Sequence, residues 1–215
     1  MLDLSQFMSE ENLAAFTGIL AVYAVIIVFF SIFGIICYVF QSVGLFKMAK
    51  SLGFNHPWMA WVPFFNTYTM GKIGSKYVKN DGKPSAKFGG WLVGLEMAML
   101  AALFVIIGAV IAMIPNIITM TQSGETIPNG LIASLLVVVV SYLALFGISI
   151  AYCVIYYIAL WRIFAIFNNS SATAFLIISI LFSITTPFFI FAIRNYKPLL
   201  TFGERMGYTP VETNE

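Results

Sequence analysis

The sequence contains few charged residues, one histidine and two cysteines. Charged residues occupy 9% of the 215 positions, whereas a soluble domain carries about 25%. Because hydrophobic residues make up 60% of the chain, so few charges cannot cover a water-soluble globule, and disorder is excluded for the same reason. Two cysteines and 16 glycines also exclude disulfide-rich and collagen-like scaffolds. The class that remains is an integral membrane protein.

The shortage of reactive side chains argues against an enzyme. His56 is the one histidine, which disfavours histidine-based zinc sites and Ser-His-Asp triads. Cys37 and Cys153 lie in apolar runs without the spacing of a metal or redox motif. We therefore expect a non-catalytic protein that holds no metal and no cofactor.

Four apolar stretches are each long enough to cross a bilayer, which takes about 20 helical residues. The predicted fold is an all-α integral membrane protein, a single membrane domain over 1–215 with four transmembrane helices. A turn-forming sequence, Thr185-Thr186-Pro187, interrupts the last stretch and could kink it or turn it back, so a re-entrant segment stays open there. The spans are predicted at 16–40, 91–114, 131–164 and 173–193.

The distribution of basic residues predicts the orientation. Seven of the 11 basic residues lie in the segment 41–89, whereas the N-terminal segment carries Asp3, Glu10 and Glu11. The positive-inside rule therefore places 41–89 in the cytoplasm and the N-terminus outside a cell (inner) membrane. The polar tail 194–215 is basic as well, which conflicts with an outside position after four full spans. The side of the tail is left open.

The basic segment 41–89 is predicted to be an interfacial element and more than a linker. Ser42 to Gly53 has the pattern of a short amphipathic helix. Residues 57–73 are apolar but contain two prolines and are short for a span, which is typical of an interfacial or re-entrant hairpin. The lysines could bind anionic headgroups or merely set the topology. Membrane lipids are thus expected partners, and nucleic acid is not.

Residues 45–73 also carry a spaced set of glycine, tryptophan, proline and polar positions. This set resembles the Lys-Gly-Trp-Ala-Pro-Asn element of a family of small prokaryotic multi-pass membrane proteins of unknown function. Pro57 stands where family members often have a glycine before the tryptophan. The resemblance implies a bacterial or archaeal inner membrane and a shared architecture, and it supplies no catalytic residues. The matching positions are Lys47, Gly53, Trp58, Ala60, Pro63, Asn66, Tyr68, Gly71 and Lys72.

Glu96 is the one acid inside a predicted span. A charge at the bilayer centre costs roughly 2.5–3.5 kcal/mol on insertion scales, so such residues are often functional. Arg162 is expected at a similar depth on the third helix, and an ion pair between the two is one interpretation. A contact with a lysine or a protonated glutamate is also open. The functional alternative is a proton-coupled or cation-binding site, in which Asn66, Thr67 and Thr69 could lie beside Glu96.

Two further patterns concern helix packing. Small residues recur every four positions on the second span, which predicts a helix-packing face that serves either this chain or a homo-oligomer. Leu45-Phe46-Lys47-Met48 is similar to Leu160-Trp161-Arg162-Ile163, and each precedes a proline-containing apolar segment, which is a weak sign of an internal repeat. The small residues are Gly90, Gly94, Ala98 and Ala102.

The sequence favours an accessory, assembly or self-protection protein that acts through contacts with lipid or with another membrane protein. The alternative is a small oligomeric transporter or channel that uses Glu96. Four helices are few for a transport path through a monomer, so this alternative requires oligomers. The functional surface is predicted to consist of Lys47, Trp58, Trp61, Pro63 and Asn66.

Overall fold

The computed structural model describes residues 10–77, 87–123 and 129–199. Within these ranges every regular element is helical and no strand occurs, which confirms the all-α fold class. The middle of the basic segment, including Lys79 and Lys83, lies outside the described residues. So does the part of the predicted tail from residue 200 onward.

Three helices are long and apolar enough to cross a membrane. They are α1 (Glu10–Ser51), α3 (Phe88–Ser123) and α4 (Asn129–Phe167), and they contain the first three predicted spans. Each helix extends beyond its predicted span into less apolar residues, such as 41–51 at the end of α1. The expected separate helix from Ser42 is instead the last part of α1, and Pro115 lies inside α3 and does not end it.

The remaining elements are short. A 3-10 turn at Pro57–Trp61 precedes α2 (Phe65–Gly74), and a second set comprises α5 (Ala172–Leu181) and α6 (Thr186–Ile193). The predicted fourth span, 173–193, is therefore not one helix. A 3-10 turn at Ser183–Thr185 divides it, just before Pro187 in the first turn of α6. Because Pro187 has no N–H to donate to the preceding turn, it fits the first turn of a new helix and disfavours a helix that continues through it.

The two short sets each fold back on themselves, and we name them the first hairpin (57–74) and the second hairpin (172–193). In the second hairpin the rings of Phe175 and Phe189 stack with centroids 4.6 Å apart, so its two arms lie side by side. In the first hairpin the 3-10 turn packs against α2. Both hairpins start near the end of a long helix, α1 or α4.

Each hairpin reaches back along the long helix that precedes it. The hydroxyl of Tyr38 donates a 2.6 Å hydrogen bond to the carbonyl of Trp61, about 20 Å from the end of α1 at a rise of about 1.5 Å per residue. The hydroxyl of Tyr157 lies 3.4 Å from that of Ser183, about 15 Å from the end of α4. The two tips therefore lie at comparable depths.

The second arm of each hairpin packs on the long helix of the other half. A Cβ added to Gly44 of α1 would lie 2.9 Å from the carbonyl oxygen of Ile190 in α6. A Cβ added to Gly74 of α2 would lie 2.9 Å from the carbonyl oxygen of Ala159 in α4. Glycine is required at both crossings, since the neighbouring backbone leaves no room for a side chain.

These crossings agree with the internal repeat. Gly44 and Ala159 directly precede the two similar tetrapeptides, so the contacts occur at matching positions of α1 and α4. Leu45 and Leu160 are fully buried in the two copies, as are Met48 and Ile163 three positions later. The described chain thus repeats a long helix followed by a hairpin, and the second arm of each hairpin packs on the other long helix, whereas α3 has no counterpart.

The hydrophobic core lies where α1 and α4 end, between the two hairpins. Its largest members include Phe164, Leu45, Met48 and Ile73. The opposite part of α1, from Ala14 to Ile36, has exposed side chains apart from the half-buried Phe33. The molecule therefore has a packed end and an end at which the long helices extend beyond the hairpins.

Candidate functional site

The first hairpin is attached to α1 by the side chain of Asn66, which is 5% exposed. Its Nδ2 donates to Ser42 Oγ at 3.1 Å and to the carbonyl of Ala60 at 2.7 Å, while its Oδ1 accepts from Gln41 Nε2 at 3.0 Å. A buried amide needs such partners, because an unpaired polar group costs about 1–3 kcal/mol. Asn66 therefore fixes the hairpin to α1. The sequence had predicted that Asn66 belongs to a functional surface, but its side chain is buried.

The tip of the first hairpin is a strained turn. Phe64 has φ 67° and ψ −47°, and the N–H of Phe65 donates to the carbonyl of Pro63 at 2.9 Å. These values describe a γ-turn of the rare form, which is disfavoured for a bulky residue. Pro63 is thus a turn residue, and the strain is located where the hairpin meets α3.

Glu96 on α3 lies beside this tip. The hydroxyl of Thr67 on α2 and that of Tyr152 on α4 lie beside the Glu96 carboxyl. Glu96 Oε2 is buried and has no hydrogen-bond partner among the described residues. A carboxyl from α3 thus meets two hydroxyls, one from α2 and one from α4. The carboxyl lies within the part of α3 that is long and apolar enough to span a membrane.

A cavity of about 300 Å³ opens at this carboxyl. Ligand pockets usually range from about 300 to 1,000 Å³, so the cavity has room for a small molecule. Apart from Glu96, the lining is apolar. The lining side chains are Phe64, Glu96, Met99, Leu100, Leu103 and Leu145.

Arg162 does not reach Glu96. Its guanidinium carbon lies 4.5 Å from the centroid of the Phe88 ring and 5.7 Å from that of Tyr77. Phe88 is the first residue of α3, so Glu96 lies about 12 Å further along the helix. The expected equal depth of the two residues was wrong because α3 begins at the level of Arg162.

The other residues of the predicted functional surface are not gathered into one cluster. Lys47 donates to Asn195 Oδ1 at 3.3 Å, just after α6. Trp58 and Trp61 belong to the first hairpin and are 57% and 43% exposed. The carbonyl of Trp61 accepts the hydrogen bond of Tyr38, so this tryptophan lies at the depth of the hairpin tip and apart from Lys47.

The small-residue stripe on α3 is open in this chain. A Cβ at Gly90 or Gly94 would meet nothing within 4 Å, whereas Ala98 and Ala102 are half-buried. Close packing within the chain occurs instead at Gly71, where a Cβ would lie 2.6 Å from Gly89 Cα. Gly90 and Gly94 therefore do not pack within this chain, and their contact with a second copy stays a prediction.

Sequence reasoning placed Thr67 near Glu96 but missed Tyr152 and Phe64. A tyrosine near the end of a span is typical of the interfacial belt, so the pattern of α4 contains no signal for a site. Phe64 carries none either, since a phenylalanine does not indicate a positive φ. Among the described residues no group of three His, Cys, Asp or Glu side chains could hold a metal ion.

Comparison with known proteins returned no family model, no curated protein and no solved structure that matches this chain.

Proposed function

We propose that this chain is a non-catalytic, multi-pass membrane protein that acts as an accessory, assembly or self-protection protein. The observation that carries the proposal is the free half of α1. From Ala14 to Ile36 its side chains are exposed, with the half-buried Phe33 as the exception, and its extended contacts with the short helices begin near Tyr38. This half of α1 offers its whole circumference to lipid or to a helix of another membrane protein.

The proposed orientation has the packed end at the cytoplasmic face. The exposed lysines 47, 50, 72 and 76 belong to that end. The Lys47–Asn195 contact brings the residues after α6 to the same end. Both hairpins then enter the membrane and return, which leaves three spanning helices and a cytoplasmic tail.

This arrangement removes the conflict in the positive-inside rule. A fourth span would place Arg194 and Lys197 outside, whereas a re-entrant second hairpin keeps them with the other basic residues. The tip of that hairpin supports entry into lipid, because Leu181, Phe182 and Ile184 are apolar and 54–69% exposed. The exposed Lys72 and Lys76, at the end of the first hairpin, support contact with anionic headgroups.

Native mass measurement in lipid nanodiscs, with identification of everything that co-purifies, tests the accessory role. A stoichiometric membrane-protein partner is expected. The matched variant Ile27→Arg, on the exposed half of α1, should release that partner, whereas Phe182→Arg at the hairpin tip should retain it. A homo-oligomer without any other protein would contradict the accessory role.

A specific observation favours a second candidate, a small oligomeric transporter or channel. The side chain of Glu96 lines an open cavity, and acids inside spans commonly mark ion or substrate paths. The open Gly90-Gly94 face would then be available for oligomer contacts. Flux into proteoliposomes that is lost in Glu96→Gln would support this candidate, and equal flux in both proteins would contradict it.

A further inference from the structure

We infer that the Glu96 cavity binds an apolar organic cation, which enters from the lipid and displaces the proton of the carboxyl. The inference deepens the transport candidate and is independent of the accessory role. It stands on four features of the structure: the acidic side chain that lines the cavity, the apolar character of the other lining residues, the strained tip and the absence of a basic neighbour within the described part of the site.

The first feature is the state of the carboxyl. An ionised carboxylate inside a span needs a counter-ion, and the nearest candidates are engaged elsewhere. Arg162 lies over Phe88, while Lys72 lies 4.8 Å from the centroid of the Phe54 ring. With no counter-ion at hand, the carboxyl holds its own proton when the cavity is empty.

The groups beside Glu96 supply no positive charge. From α4 the titratable neighbour is Tyr152, and from α2 the neighbour is the hydroxyl of Thr67, which does not titrate. Both hydroxyls can donate to the carboxylate after its proton leaves. A cation in the cavity then pairs with the carboxylate, so charge is conserved: one proton leaves as one cation binds.

The cavity selects an apolar body for that cation. Its other lining residues are four aliphatic or thioether side chains and the ring of Phe64. A hydrated metal ion would find no further oxygen ligands among these side chains, whereas an alkyl or aryl cation would contact them directly. The ring of Phe64 also offers a cation–π contact.

Phe64 supplies the independent sign of function. Strain at a bulky residue persists only where the surrounding structure enforces it, and such residues cluster at ligand sites. Here the γ-turn directs the backbone so that the Phe64 ring lines the cavity. The matching tip of the second hairpin has no positive φ and lines no comparable carboxyl.

Tetraphenylphosphonium is the probe, measured by equilibrium dialysis against the full-length protein in nanodiscs, with empty nanodiscs as the partition control. We expect saturable binding, release of about one proton per bound probe, and an apparent affinity that falls about tenfold for each unit decrease of pH below the carboxyl's pKa. Glu96→Gln should bind at least about tenfold more weakly and release no proton.

A second measurement on the unmodified protein guards against misfolding of the variant. Dicyclohexylcarbodiimide adds across a protonated carboxyl, its carbon bonding to oxygen while the proton moves to nitrogen, and the product is seen by peptide mass. The probe should protect Glu96 from this reagent. Equal binding by both proteins, binding without proton release, or labelling that the probe leaves unchanged would each overturn the inference.

Because nanodiscs have no separate compartments, these assays measure the site without requiring transport. Binding without flux in liposomes would therefore contradict the transport candidate and leave the binding site intact.

Discussion

The two hairpins occupy matching places in the fold and differ in their chemistry. The first is attached by the Asn66 hydrogen bonds and turns through the strained Phe64 beside Glu96. The second is held by aromatic packing, in which the rings of Phe164, Phe175 and Phe189 all contact one another. The comparison teaches that a repeated scaffold can keep its backbone crossings while one copy serves packing and the other provides a polar site.

The crossings themselves should show the largest effect. Gly44→Leu and Gly74→Leu each force a side chain into the backbone of the opposite half, and overpacking costs roughly 1–3 kcal/mol. We expect both variants to lower the free energy of unfolding near the upper end of that range, measured by thermal unfolding in detergent. Gly94→Leu is the control, since its Cβ meets nothing. If only one of the pair is destabilised, the two crossings are not equivalent.

A buried polar residue in each hairpin should respond in opposite ways. Asn66→Leu leaves Ser42 and the Ala60 carbonyl without their partner and should cost about 1–3 kcal/mol. Ser179→Ala removes a buried hydroxyl that has no hydrogen-bond partner among the described residues, so stability should stay equal or rise. Thermal unfolding of both variants decides the matter, and a comparable loss in Ser179→Ala would contradict the distinction.

The hairpin tips predict a reversal between alanine and glycine. At Phe64, glycine relieves the positive φ that alanine keeps, so Phe64→Gly should be more stable than Phe64→Ala by about 1 kcal/mol. At Phe182, where φ is −131°, glycine should be the less stable by about 0.5–1 kcal/mol. The four unfolding temperatures are compared in pairs. If alanine is more stable than glycine at position 64 as well, Phe64 is not strained.

The smallest effect concerns the tyrosines that hold the two tips. Tyr38→Phe removes a 2.6 Å hydrogen bond to a carbonyl, whereas Tyr157→Phe removes a 3.4 Å contact with a hydroxyl. Interhelical hydrogen bonds in membranes are worth about 0.6 kcal/mol on average. We expect Tyr38→Phe to lose about that amount and Tyr157→Phe to lose less. Both variants are measured by thermal unfolding. A larger loss of stability in Tyr157→Phe than in Tyr38→Phe would contradict the stronger attachment of the first hairpin.

The three long helices were predictable because a spanning helix is defined by length and hydrophobicity alone. The hairpins were predictable only in part. Pro57, Pro63 and Pro187 indicate interruptions, but they do not tell whether the chain continues through the membrane or returns. That choice depends on contacts between distant residues, such as Lys47 with Asn195 and Gly74 with Ala159, and no local pattern encodes them.

The acidic residue of the candidate site was predictable from the sequence, whereas most of its neighbours were not. An acid in an apolar span is visible in any sequence, so Glu96 could be found. Its neighbours depend on how far α3 and α4 are shifted along each other, which places Tyr152 near Glu96 and leaves Arg162 beside Phe88. The sequence contains no measure of that shift.

The account depends most on the second hairpin being re-entrant, and the side of the membrane on which Lys197 lies tests this directly. In a background with Cys37→Ala and Cys153→Ala, single variants Lys50→Cys and Lys197→Cys are labelled with a membrane-impermeant thiol reagent in right-side-out and inverted vesicles. Both residues are exposed at the packed end. Labelling of both variants from the cytoplasmic side is the predicted result. Labelling of Lys197→Cys from the opposite side to Lys50→Cys would show a fourth span and contradict the account.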